Sequence, residues 1–179
     1  MQTLKISLAQ LNYHTGNFEL NTSKIIQQIL LAKSEGADLI VFSELCVCGY
    51  PPRDFLEFKD FIHRCTLSVN AIAEACVGIA AIIGSPTINP KFEGKDLFNS
   101  AYFLADGKVK HVTHKTLLPN YDIFDEYRYF EPNTVFEIIE YNGCRIALTI
   151  CEDLWNINDN PMYIKNPMDE LIKQHPDVM

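Results

Sequence analysis

Two hydrophobic rhythms alternate along the chain. Leu4 to Leu11 is a short apolar run that reads as a strand. Ile25, Ile29 and Ala32 then recur at i, i+4 and i+7, flanked by Ile26 and Leu30, and this spacing predicts a helix. Asn21, Thr22 and Ser23 supply capping side chains before it, and Gly36 a stop after it. Asp38 to Phe42 is continuously apolar after its first residue, as expected of a strand covered on both faces. A second helix is predicted over Phe58–Cys76 and a third buried strand over Ile79–Gly84. This β-α-β-α-β opening predicts α/β architecture.

The middle of the chain changes character. Ala101–Ala105 and Lys108–Thr113 flank Asp106-Gly107, and Phe136–Tyr141 and Cys144–Ile150 flank Asn142-Gly143. Both dipeptides favour the positive φ angles of a two-residue hairpin turn, so the sheet must be mixed. Between the hairpins runs a polar and aromatic stretch, Thr116 to Pro132, too long for an idle connection. A helix is expected around Pro167–Gln174. No repeat, low-complexity segment or linker divides the 179 residues, a length suited to one domain or part of one.

Charge narrows the partners. Fifteen basic against 23 acidic side chains leave a net charge of −8, which argues against a broad nucleic-acid or anionic-membrane surface. No apolar run approaches the length of a membrane span, and the first residues lack the pattern of a signal peptide. A cytoplasmic protein is the expectation. The six cysteines form no CxxC pair, so a disulfide framework or zinc ribbon is disfavoured and most read as small buried hydrophobes. His111 and His114 are spaced to point to opposite faces of a strand. The run Asn156 to Asn160 lacks the glycine and terminal glutamate of a calcium loop. No metal is expected.

Three apolar strands run out into reactive residues: Val41-Phe42-Ser43-Glu44, Val112-Thr113-His114-Lys115 and Ile146 to Cys151. In α/β sheets, ligands gather at the carboxyl ends of strands. A thiol, a carboxylate and an ammonium together make a nucleophile, a general base and an oxyanion stabiliser, and the ammonium would also bias the thiol towards thiolate. If its strand stays regular, Cys151 shares a face with Arg145, Ala147 and Thr149. Each residue also has a plain alternative. Cysteines ending strands are more often packing than nucleophiles. Glu44 reads equally as a helix cap, Lys115 as a solvated charge, and Asp125 to Arg128 as an exposed ion-pair cluster.

The words around these residues carry a resemblance. Ser43-Glu44-Leu45 with Gly49 to Leu56, Lys115 to Phe130, and Ile150-Cys151-Glu152-Asp153-Leu154-Trp155 resemble the nitrilase superfamily. Within it they are most similar to the glutaminase domains of glutamine-dependent NAD synthetases. That resemblance implies a nitrilase-like αββα sandwich, with residues 1–179 its N-terminal part. It implies Cys151 as nucleophile, Glu44 as general base and Lys115 as oxyanion stabiliser. Tyr50 and Tyr121 would line a glutamine pocket, and Glu126 would stand beside the nucleophile. Trp155 reads as a packing anchor.

The same resemblance implies L-glutamine as substrate and a C-terminal NAD synthetase domain as partner, in a homo-oligomer. ATP and magnesium would act only in that synthetase domain, whose SGGxDS-type signature is absent from this sequence. Further strands, and a serine near the bound glutamine, are expected beyond Met179. An open sheet edge or uncovered apolar face is therefore expected on the far side of the Cys144–Ile150 strand. Two other readings stay open: a free-standing amidase acting on another small carboxamide, and a catalytically silent assembly unit.

Overall fold

The computed structural model describes residues 3–156 and 163–179. Strand β1 (Ile6–Leu8) leads through helix α1 (Phe18–Ser34) to β2 (Leu39–Val41), and helix α2 (Lys59–Ala75) carries the chain to β3 (Ala80–Ile88). These three strands are parallel neighbours. β4 (Leu97–Ala105) and β5 (Lys108–His114) extend the sheet antiparallel, in the order β1-β2-β3-β4-β5. β6 (Ile138–Tyr141) and β7 (Cys144–Ala147) form a separate hairpin, and a short helix α3 (Pro167–Ile172) follows.

Strand alternation sorts the core into two layers. From β3, Ala81 and Ile83 join Ile25, Ile29 and Ile72 of the helices. Ala80 and Ile82 point the other way and meet Ile139, Ile146, Leu148 and Ile150 from the second hairpin. The result is a helix layer, a five-stranded sheet and a second sheet, as the resemblance implies for the first part of an αββα sandwich. Both hairpin turns have the anticipated geometry. Asp106 and Gly107 lie at φ 52° and 73°, and Asn142 and Gly143 at 47° and 71°.

Several boundaries differ from expectation. α1 begins a turn earlier, because the Asn17 side chain caps it by accepting from the Leu20 N–H at 3.2 Å. Asn21 lies buried within the helix, where its amide bonds the His14 backbone and the Val47 carbonyl. A buried amide satisfied by two loops is worth more there than at a solvated cap. β1 is shorter than its apolar run, and β3 continues beyond Gly84 because β4 pairs with it through Ile88. β7 stops at Ala147, so Cys151 does not stand on a regular strand; the chain beyond Ala147 bends into a 3-10 turn over Cys151–Leu154. Trp155 is 75% exposed, which does not fit a packing anchor. Residues 157–160 of the calcium-loop-like run lie outside the described residues.

The expected open edge is displaced. Val178 lies parallel beside Ile146 and accepts the Ala147 N–H, so the far side of β7 is partly paired. The uncovered apolar surface instead lies between the two sheets. There a cleft of 280 Å³ is lined by Ile6, Leu8, Val41, Leu148, Val178 and Met179, and Leu8 is 72% exposed. No helix among the described residues is long and apolar enough to cross a membrane.

Candidate active site

Each reactive side chain is set by a local backbone device. After β2 the chain makes a tight turn at Glu44, and Leu45 sits at φ 48°. The turn lies directly on β3: a Cβ at Gly84 would come within 2.3 Å of the Leu45 nitrogen and 2.9 Å of the Glu44 carbonyl carbon. Only glycine permits that approach. The Val47 N–H donates to the Gly84 carbonyl at 3.1 Å and locks the contact.

Lys115 follows β5, and its N–H donates to the Asn99 carbonyl of β4 at 2.8 Å. The segment beyond it folds back, so that the Asn133 N–H returns to the Lys115 carbonyl and Phe130 bridges Leu97. That return carries Glu126, in a 3-10 turn over Glu126–Arg128, to the lysine. Cys151 opens its own turn at φ 48°, a strained angle for a non-glycine residue, and is the one exposed cysteine among the described residues.

These devices converge on an ion cluster. The Lys115 ammonium, 0% exposed, donates to Glu44 Oε1 at 2.7 Å and to Glu126 Oε2 at 2.8 Å. Lys115 is therefore no solvated charge, and no helix follows Glu44 for it to cap. The Tyr50 hydroxyl donates to Glu126 Oε1 at 3.0 Å. Asn99, buried in β4, donates from Nδ2 to Glu44 Oε1 at 2.6 Å and to Glu126 Oε2 at 3.3 Å.

Electrostatics follow from two carboxylates sharing one cation. Burial works to lower the Lys115 pKa, but Glu44 and Glu126 outweigh it, so the ammonium is held firmly charged. Burial and then the Glu44 charge raise Glu126, opposed by Lys115. The Cys151 thiol is pushed up to about 11, first by burial and then by Glu44, against a smaller opposing pull from Lys115. Lys115 does bias the thiol towards thiolate, as its charge implies, but burial and the carboxylates outweigh that pull. The carboxylates outnumber it, and Glu44 is within hydrogen-bonding reach of the thiol to hold its proton.

The aromatic residues divide. Tyr50 is half-buried with its hydroxyl committed to Glu126, while Tyr121 is 46% exposed and donates to Glu152 Oε2 at 2.8 Å. The Phe124 ring stands between them, 6.4 Å from Tyr50 and 5.7 Å from Tyr121 between centroids. Tyr163 donates to the other Glu152 oxygen at 3.0 Å. Asp125 and Arg128 lie apart from the ion cluster; Arg128 pairs at the surface with Asp54 and Glu57.

Two site-forming residues escaped sequence reasoning. Asn99 was visible only as a polar residue in an apolar strand. Asp153, 2% exposed, accepts the Thr116 and Leu117 N–H groups on Oδ1 and the Ile150 N–H on Oδ2. It thereby ties the Lys115 loop to the Cys151 turn. Burial raises its pKa to about 6 against the pull of those N–H groups. Among the described residues no cluster of three or more His, Cys, Asp or Glu side chains is arranged to hold a metal.

Comparison with known proteins adds an independent line. The family described as carbon-nitrogen hydrolase matches residues 5–167. A glutamine-dependent NAD(+) synthetase from Synechocystis sp. is 40% identical over 176 residues, 94% of this chain and 32% of that protein. The structure of a glutamine-dependent NAD+ synthetase from Acinetobacter baumannii, in complex with ADP, superposes with a TM-score of 0.86 at 36% identity. The match covers 98% of this chain and 31% of that one. An amidase from Nesterenkonia sp. shares the fold, with a TM-score of 0.71 at 22% identity over 84% of this chain and 56% of that one. The chain spans about a third of the length of the curated relatives it matches.

Proposed function

The chain belongs to the carbon-nitrogen hydrolase family, and from that premise we propose that it hydrolyses the side-chain amide of L-glutamine. In the full-length protein the released ammonia would amidate deamido-NAD to NAD at a C-terminal synthetase domain, where ATP and magnesium would act. One observation carries the chemistry: a buried lysine is clamped between two carboxylates, one of them within reach of an exposed thiol at a strained turn. The named synthetase relatives supply the substrate. They favour glutamine over another small carboxamide, and the assembled ion cluster argues against a silent unit.

The geometry supports a two-step displacement. Cys151 Sγ attacks the amide carbon as Glu44 takes the thiol proton, so the S–H bond breaks as the S–C bond forms. Because the thiol rests protonated, transfer to Glu44 accompanies attack. Two of the three Lys115 protons are committed to Glu44 and Glu126, and the third is left for the developing oxyanion. Glu44 then returns its proton to the leaving nitrogen, and ammonia departs from a γ-glutamyl thioester. Water attacks the thioester while giving a proton to Glu44. Glutamate leaves, and the thiol recovers its proton.

Tyr50, Phe124 and Tyr121 would wall the substrate, with Glu126 fixing Lys115 from the other side. We also propose that the full-length protein is a cytoplasmic homo-oligomer. The test is Cys151→Ala in the full-length protein. Synthesis of NAD from glutamine should be abolished while synthesis from free ammonium persists within about twofold, since the amidase step supplies only ammonia. Glutamine-driven turnover retained in that variant would remove Cys151 from the reaction. Equal loss with both nitrogen sources would point to a structural role.

A further inference from the structure

The two oxygens of Glu44 are used unequally. Oε1 accepts both the Lys115 ammonium at 2.7 Å and the Asn99 amide at 2.6 Å. Oε2 accepts from no N–H or O–H donor among the described residues. The doubly held oxygen is thus the fixed one, and the other is left for proton transfer.

Asn99 is an odd choice for its position. It lies third in β4, 1% exposed, in the run Leu97-Phe98-Asn99-Ser100-Ala101. Its Oδ1 is buried with no partner among the described residues. Exchanging the amide oxygen and nitrogen would set a carbonyl against two carboxylate oxygens, three acceptors with no proton among them, so the N–H end must face the cluster. An orphaned buried carbonyl is unfavourable, and an apolar side chain of the same size would avoid it. What the amide contributes is therefore its N–H groups, which reach both carboxylates of the cluster.

We propose that Asn99 is a positioning residue for the amidase reaction, pinning Oε1 of Glu44 and Oε2 of Glu126 so that Oε2 of Glu44 receives the Cys151 proton. The Asn99 amide bonds the carboxylates of Glu44 and Glu126 and not the reacting sulfur, so it acts through Glu44. It also supplies partial positive charge where one lysine must serve two carboxylates. The proposal rests on the glutamine-amidase reading for its substrate, but not for its effect on the thiol.

The pH consequence has a definite sign. The charged groups facing Asn99 are Glu44 from the turn after β2, Lys115 after β5 and Glu126 from its 3-10 turn. Tyr50 adds its hydroxyl to Glu126, and Cys151 opens the turn beyond β7. N–H donors favour the ionised form of a carboxylate. Without them Glu126, already raised by burial and then by the Glu44 charge, protonates more readily and holds Lys115 less firmly, so the acidic limb of the rate profile moves to higher pH. The less-neutralised negative charge also makes the nearby thiol harder to ionise.

The experiment uses Asn99→Leu, close in size and without donors, and Asn99→Ser, which keeps one short donor, both in the full-length protein. Ammonia release from glutamine is followed across pH, and alkylation of Cys151 by iodoacetamide is followed separately by mass spectrometry. Asn99→Leu should lower kcat by about 10–100-fold with KM within about twofold, and shift the acidic limb upward. It should also move the alkylation midpoint above that of the unaltered protein, with Asn99→Ser between the two. Unchanged profiles in Asn99→Leu would overturn the proposal. So would a fall in rate with both pH midpoints unmoved, because a packing defect alone does not retune the thiol. If Asn99→Leu does not fold, unmoved midpoints in Asn99→Ser would overturn it equally. Failure of the unaltered protein to release ammonia from glutamine would sink the substrate reading while the alkylation arm still tests Asn99.

Discussion

Lys115 carries its charge where charge is expensive, fully buried just past the end of β5. A lone ammonium there would lose its proton or unfold its surroundings, and the two carboxylates make it tenable. The cluster then holds two negative charges against one positive, and that excess raises the thiol to about 11 behind the larger contribution of burial. Glu44 therefore has two opposed effects: it restrains the thiol at rest and accepts its proton during attack. Glu44→Gln separates them. Amide hydrolysis should fall by ~10²–10⁴-fold, since glutamine cannot take the proton. The alkylation midpoint of Cys151 should fall below about 11, because the charge raising it has gone. Iodoacetamide labelling across pH beside an ammonia assay reads both. A midpoint that rises, or a rate near that of the unaltered protein, would remove Glu44 from the mechanism.

At the scale of elements, the loops are joined more tightly than their distance in sequence suggests. Asp153 has three backbone N–H groups on its carboxylate, from Thr116, Leu117 and Ile150, and so couples the end of β5 to the turn beyond β7. Asp153→Asn keeps the shape but presents an NH₂ towards one of these donors. At least one buried N–H is then orphaned, at about 1–3 kcal/mol. The melting temperature should drop by several degrees, on the order of 2–4 °C per kcal/mol at this size, and amide hydrolysis should fall with it as Lys115 and Cys151 lose registry. Calorimetry and an ammonia assay check the pair; an unchanged melting temperature would show that the bridge is idle. Little of this was legible in the sequence. Asp106-Gly107 and Asn142-Gly143 announce their hairpins because turn chemistry is local. Asp153 and Asn99 are single polar residues that reach groups tens of positions away, Thr116 and Leu117 for one and Glu44 and Glu126 for the other, so no periodicity marks them. The start of α1 was misplaced for the same reason: Asn21 looks like a cap and is a buried bridge between loops.

At the scale of the molecule, the two sheets make one hydrophobic layer between them, but that layer is open at one edge. β1 is a terminal strand of its sheet, and Ile6 and Leu8 face the 280 Å³ cleft with Val178 and Met179 opposite. The reactive end is part of the same cleft, since Glu44 and Cys151 line it too. The family resemblance implied an uncovered apolar face yet put it beyond β7, because it does not tell which edge Val178 will pair with. An exposed apolar edge strand invites association. Residues 1–179 expressed alone should therefore bind a hydrophobic dye such as ANS and self-associate as concentration rises. Leu8→Glu should reduce both, because it places a charge where a neighbouring apolar surface would have to desolvate it. Light scattering after size exclusion, with dye fluorescence on the same fractions, follows the outcome. A 1–179 chain that stays monomeric, binds no dye and is indifferent to Leu8→Glu would mean that the cleft closes on itself in solution.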